Sequence, residues 1–244
     1  MNWSQVPCDM VVNLCSDLLL IALLGMLLWL LYRRELSKAQ AFFGFGQQGQ
    51  VRIYISAHED QCTASRKVVT AIEYEAAVEV KNTLRDLSGT EFVRKIAGLI
   101  GQDPRLPEPT IEPGPLDAVK EPLGFESIIL IGGPLRNRLT EFYAEGWQPL
   151  LKYAVDRGKY LELIEGEYRE VDARDIVAIL VKMVLDAQVV FFAFGDGEED
   201  TRSAARYLAR NWLQLHKRFR GESFGICLSV EGGKTKERKV VVQE

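Results

Sequence analysis

Ser127-Ile-Ile-Leu-Ile-Gly-Gly-Pro134 is the stretch from which the fold can be read. Its short continuous apolar run is the pattern of a strand buried on both faces, and a glycine pair followed by proline makes a turn that starts a helix. Beyond it Leu135, Leu139, Phe142 and Tyr143 recur at i, i+4, i+7 and i+8, one face of that helix. The same order returns at Val189-Val-Phe-Phe-Ala-Phe194, which ends in Gly195-Asp-Gly197. A long helix is predicted there from about Asp200 to Phe219, with Ala204, Ala205, Leu208, Trp212 and Leu215 inward and Arg202, Arg206, Arg210 and Lys217 toward water.

Working outward, Val51-Arg-Ile-Tyr-Ile-Ser56 predicts a first strand. A helix over 71–87 follows, with Ile72, Ala76, Val80 and Leu84 on one side, and a second is expected from Thr90 on the stripe Val93, Ile96, Ala97 and Ile100. Residues 102–116 hold five of the nine prolines and read as a connecting loop. Segments 150–154, 159–165 and 167–171 predict a small β insertion. Asp175–Leu185 fits strand or buried helix, and Ser223–Val230 with Lys239–Val242 finish the chain as strands. Alternation of strands and helices with apolar strands means an α/β layered sheet.

The 244 residues are 47% hydrophobic and 26% charged, a composition that excludes disorder and collagen-like repeats. The N-terminus departs from this average. Met10–Tyr32 is 23 residues with few polar interruptions, about 34 Å as a helix, enough to cross a hydrocarbon layer of about 30 Å. No Lys or Arg precedes it, which argues against a cleaved signal peptide. Arg33, Arg34 and Lys38 follow it, which places the C-terminal side in the cytoplasm. The expected organisation is a transmembrane helix and juxtamembrane extension over 1–42 and a cytoplasmic domain over 43–244. Gly44-Phe-Gly-Gln-Gln-Gly-Gln50 reads as a flexible connector between them. Residues 1–34 take two of the 30 basic and two of the 34 acidic side chains, so the domain carries the whole net charge of −4. It has no bulk attraction for nucleic acid or anionic lipid. Asn13 and Asp17, four residues apart on one helix face, suit helix association or a pore, or sit in the outer headgroups if the helix rides higher.

Three turns are placed where an α/β sheet binds ligands, at the carboxyl ends of its strands. In the first, Gly132 and Gly133 let the backbone approach closely, a helix start offers unpaired N–H groups, and Arg136, Asn137 and Arg138 add polar and cationic side chains suited to an anion. The second contains Gly195, Gly197, Thr201 and Arg202, but also four acids at 196 and 198–200. These stabilise a helix start, recognise a ribose hydroxyl or hold Mg²⁺. The third, Ser56 to Asp60, contains His58, and Glu73 and Glu75 could project toward it. The four cysteines and two histidines make no disulfide framework or zinc motif, and no nucleophile elbow, HExxH or Walker loop is present. No cofactor, metal or catalytic set is therefore indicated.

Arg52-Ile-Tyr-Ile-Ser56, Ile72-Glu-Tyr-Glu-Ala-Ala77, Ile131-Gly-Gly-Pro-Leu-Arg-Asn137 and Gly195-Asp-Gly-Glu-Glu-Asp-Thr-Arg-Ser-Ala-Ala-Arg-Tyr-Leu208 together resemble a prokaryotic family of membrane-anchored proteins over residues 51 to 230. The resemblance implies a Rossmann-like sheet with helices on both faces and brings no activity with it. More distantly, the layout is similar to the TIR, SLOG and CRISPR-associated Rossmann-fold domains of bacterial defence systems, which implies NAD derivatives or cyclic oligonucleotides as ligands. The deoxyribosyltransferase pattern would place a Glu where this chain runs Asp200-Thr-Arg-Ser-Ala-Ala-Arg206 without one, which argues against glycosidic cleavage. The expectation is a single-pass inner-membrane sensor or effector, N-terminus out, that binds a nucleotide-type anion and acts as a homo-oligomer. The alternatives are a membrane-anchored nucleotide or NAD hydrolase using Glu73, Glu75 or His58 with a metal on the acidic turn, and a membrane scaffold without catalysis.

Overall fold

A computed structural model describes residues 8–45, 50–60, 63–87, 108–124, 127–134, 136–145, 153–154, 159–164, 167–172, 178–185, 188–231 and 234–243. Helix α1 (Cys8–Phe43) runs for 36 residues, about 54 Å. Its stretch from Asn13 to Phe43 is long and apolar enough to cross a membrane, and Leu14, Leu18 to Ile21 and Leu27 are exposed along it. The last turns behave differently, because Ala39, Phe42 and Phe43 are buried in the core of the α/β unit. Gly44 ends the helix at φ 74°, its N–H donating to the Gln40 carbonyl oxygen at 2.8 Å. A Cβ here would lie 2.1 Å from Val189 Cγ2, and Phe45 is buried next to it. The start of the expected connector is thus pinned to the core rather than free, and the packed unit reaches back across residue 43 to Ala39.

The main sheet combines β1 (Val51–Ile55), β4 (Thr110–Pro113), β5 (Ser127–Ile131), β9 (Ala178–Leu185), β10 (Gln188–Gly195), β11 (Ser223–Glu231) and β12 (Lys234–Gln243), in the order β12-β11-β9-β10-β5-β1-β4. The four strands β4, β1, β5 and β10 are parallel, and β9, β11 and β12 extend the sheet by antiparallel pairing. β2 (His58–Asp60) and β3 (Thr63–Val68) form a hairpin, where the sequence had suggested a plain turn. β6 (Tyr153–Ala154), β7 (Lys159–Ile164) and β8 (Glu167–Asp172) make a separate antiparallel sheet in the segment expected as a β insertion. Asp175–Leu185, open between strand and helix from sequence, contains β9. Part of the proline-rich stretch is β4, paired through Ile111 with Ile53 at the sheet edge, where a missing donor does least harm. The helix expected from Thr90 lies outside the described residues.

Successive residues of a strand point to opposite faces, and each face has its own cover. Ile53, Ile129, Phe191, Leu180 and Phe224 pack beneath α2 (Ala71–Asp86), α4 (Glu198–Phe219) and the end of α1. Tyr54, Leu130, Val190, Phe192 and Met183 pack beneath Leu139 and Tyr143 of α3 (Arg138–Glu145). The arginines expected to be solvated on α4 are partly used between helices: Arg206 Nε lies 2.7 Å from Glu79 Oε2 on α2, and Arg210 reaches the same carboxylate at 3.3 Å.

The two ends of the sheet are not equivalent. The carboxyl ends of β1, β5 and β10 share one rim, and α4 runs from that rim back to the base. Phe43 lies tilted against Trp212, with centroids 6.0 Å apart, and Phe42 lies 6.2 Å from His216. Moving back along α1 therefore moves along α4 toward its C-terminus, so α1 leaves the domain from the base.

Candidate functional site

The rim carries a crevice of about 240 Å³ lined by Glu73, Gly133, Pro134, Arg136, Gly195, Asp196, Gly197, Glu198 and Thr201. It lies between the turn after β5 and the turn after β10, adjacent parallel strands in register from Ser127 opposite Val189. Of the nine ligand residues expected from sequence, five meet here: Gly133, Arg136, Gly195, Gly197 and Thr201.

The other four have structural duties. Gly132 adopts φ 111°, and a Cβ on it would lie 2.0 Å from Ser56 Oγ. Its N–H donates to the Ala193 carbonyl oxygen at 3.0 Å, stitching β5 to β10. Asn137 is buried and caps α3, its Oδ1 accepting from Leu139 N–H at 3.1 Å and Thr140 N–H at 3.4 Å while Nδ2 donates to the Ile131 carbonyl. Arg136 N–H and Asn137 N–H both donate to the Gly133 carbonyl, at 3.0 and 2.8 Å. The helix start expected to offer amides to an anion therefore satisfies these groups internally. Arg138 pairs with Glu141 at 2.7 Å on the exposed side. Arg202 turns away to Glu75 at 3.3 Å and Glu199 at 3.6 Å.

The acidic turn is also occupied. Asp200 Oδ2 accepts from Gly197 N–H at 3.1 Å, and Thr201 Oγ1 accepts from Gly195 N–H at 3.0 Å, so the first turn of α4 closes on itself. Burial of Asp200, with Asp196 and Glu199 nearby, raises its pKa against the opposing bond from Gly197. Among the described residues no three His, Cys, Asp or Glu side chains converge as a metal site. Of the four acids on this turn Asp200 caps the helix, while Glu198 and Glu199 face Arg136 and Arg202.

Two side chains set the crevice's chemistry. Glu73 is buried in the first turn of α2, where Thr70 Oγ1 accepts its N–H at 3.3 Å. Its carboxylate points across to the end of β1, accepting from Ser56 N–H at 3.0 Å and Ser56 Oγ–H at 3.1 Å. Burial raises its pKa; the two Ser56 bonds and Arg136 oppose this, and Glu198 adds to it. Arg136 Nη1 faces Glu198 Oε1 at 3.5 Å, an ion pair joining the two turns. The crevice thus offers one guanidinium, Arg136, and three carboxylates, Glu73, Asp196 and Glu198, a set that suits a ligand with both hydroxyls and a negative group. His58 and Glu75 are exposed, and neither lines it. Asn13 and Asp17 lie exposed on α1, at the start of the apolar span.

The chain matches no family model, no curated protein and no solved structure.

Proposed function

We propose that the chain is a single-pass inner-membrane protein with its N-terminus outside, whose cytoplasmic, Rossmann-like domain senses a nucleotide-type ligand and passes occupancy to the membrane helix. The observation that carries this reading is the crevice at the carboxyl ends of β5 and β10, with Arg136 facing Glu198 above the buried Glu73. The neighbouring turns also diverge, because α3 after β5 packs on one face of the sheet and α4 after β10 on the other, and parallel strands whose connections leave to opposite faces open a crevice between their carboxyl ends. With the α3 amides used internally, the phosphate contact falls to Arg136, and Glu73 accepts from a sugar hydroxyl. Asn13 and Asp17, exposed polar groups at the start of an apolar span, favour assembly of several copies, because side chains of this kind pair in hydrocarbon. A ligand acts by favouring one of two arrangements of that oligomer. The test is thermal unfolding of the full chain with NAD, cyclic nucleotides and cyclic oligonucleotides. A ligand at 100 times its Kd adds about 2.7 kcal/mol, whereas no shift across the panel leaves the scaffold reading.

A second reading, a membrane-anchored nucleotide or NAD hydrolase, is favoured by Glu73 itself. A buried carboxyl with a raised pKa inside a crevice is the state of a general acid or base. Turnover of NAD or a nucleotide that disappears in Glu73→Gln, with binding retained, decides for the hydrolase.

A further inference from the structure

The base of the sheet, opposite the crevice, carries its own chemistry. β9 ends there with Val184 and Leu185, 42% and 37% exposed, tied to the start of β11 by Ser223 Oγ and Val184 N–H at 3.0 Å. The last turn of α4 brings His216, Lys217 and Arg218 to the same end, and Arg220 caps it in the left-handed conformation at φ 50°. Arg218 is held by Glu237 at 2.6 Å, while Lys217 and Arg220 are exposed. Lys38 of α1 is close enough to depress the pKa of His216, together with burial and Lys182, and Arg34 lies one helical turn before it on the same side. Among the described residues the acids at this end include Glu35, Glu222 and Glu237, the last of them held by Arg218.

The depth of this patch follows from α1. The helix is continuous from its lipid-length apolar span into the domain core at Phe42. With Tyr32 at the hydrocarbon edge, and Arg33 stacked on Trp29 with its guanidinium carbon 5.2 Å from the ring centre, Lys38 stands about 9 Å beyond that edge. The headgroup layer is about 5–8 Å thick on each side. The base is therefore held against the headgroups by a helix with no break in it.

We infer that the base of the domain is a docking surface for anionic phospholipid headgroups, with Arg34, Lys38, Lys217 and Arg220 meeting phosphate and Val184 and Leu185 entering the interface. This rests on α1 spanning the bilayer. The near-neutral balance of the domain as a whole conceals the patch, because headgroups within a Debye length respond to local charge and not to the total.

The experiment compares hydrogen exchange of the full chain in nanodiscs of phosphatidylcholine alone and of phosphatidylcholine with phosphatidylglycerol. The expected result is slower exchange over 182–185 and 217–224 in the anionic discs, about fivefold for each cation engaged, reversed by high salt. The effect should vanish in the double variant Lys217→Glu, Arg220→Glu, whose unchanged exchange in β5 and α2 reports an intact fold. Equal exchange in both lipids, with Leu14 to Leu31 protected in each, overturns the headgroup contact and leaves the membrane span standing. Unprotected Leu14 to Leu31 overturns both.

Discussion

The ammonium of Lys182 lies 4.9 Å from the ring centre of Phe42, joining a buried cation of β9 to the last turn of the long apolar helix α1. Among the described residues no carboxylate pairs with this charge; its company is Phe42, Phe191, Phe224 and the side chain of His216. A ring face returns part of the desolvation cost of an ammonium, about 1–2 kcal/mol. Removing the ring leaves both a cavity and a bare charge.

Phe42→Ala is therefore expected to destabilise the full chain by about 3–5 kcal/mol, measured by denaturant unfolding. A soluble fragment starting at Leu36 should keep the core, whereas one starting at Gly44 should unfold several degrees lower or fail to fold.

Burial pushes the pKa of Lys182 down from 10.5 to about 8. Between those values the unfolded chain binds the extra proton, so this group makes stability rise with pH through that window and imposes its full cost below it. Lys182→Met is expected to raise stability at neutral pH by roughly 3 kcal/mol less the lost ring contact. Subtracting the stability curves of the two proteins from pH 7 to 10.5 should show the difference shrinking as pH rises.

Glu73 has its pKa raised by burial, so its contribution to stability is greatest below the ordinary carboxylate range and falls as pH climbs through the folded-state value. Glu73→Gln should melt at or above the temperature of the unaltered chain at pH 7. The same variant should lose the thermal shift with ligand, and a loss of stability instead would show that the ionised form is needed by Ser56.

Arg136 and Arg138 make a paired test, since only the former lines the crevice. Arg136→Ala should weaken nucleotide binding at least tenfold in calorimetry, with Arg138→Ala unchanged. Glu198→Gln frees Arg136 from a half-exposed partner. Such a pair is worth about 0–1 kcal/mol, and binding of a phosphorylated ligand is expected to tighten up to about fivefold.

Gly132→Ala meets both a positive φ and Ser56 Oγ at 2.0 Å, whereas the nearest atom to a Cβ on Gly133 is 3.9 Å away. The first substitution should cost at least about 2 kcal/mol, and the second little, in unfolding of the two variants side by side.

Much of this architecture is legible in the sequence because period and burial coincide there. All five residues of β5 are buried, as its apolar run demands, and Ala204, Leu208, Trp212 and Leu215 face inward on α4 at helical spacing. The site is legible only in part. Asn137 at a helix start is chemically suited to a ligand and to a cap, and nothing local distinguishes the two; its bonds to Leu139 and Thr140 do. Thr70 followed three residues later by Glu73 has the spacing of a reciprocal cap. The carboxylate instead crosses to Ser56, a partner 17 positions away that periodicity does not reveal. Phe42 and Phe43 follow the charged stretch that begins at Arg33, where an apolar pair has no visible partner in the local sequence; its partners, Phe191 and Trp212, lie far along the chain.

Because α1 leaves from the base and the crevice opens at the other rim, a soluble ligand reaches its site from the side away from that helix. The five residues of β5 alone set the two ends about 16 Å apart. That is two screening lengths at physiological ionic strength, so an anionic ligand approaching Arg136 scarcely feels the repulsion of an acidic leaflet. The anchored domain can hold one end in a negatively charged layer and still receive a negatively charged visitor at the other.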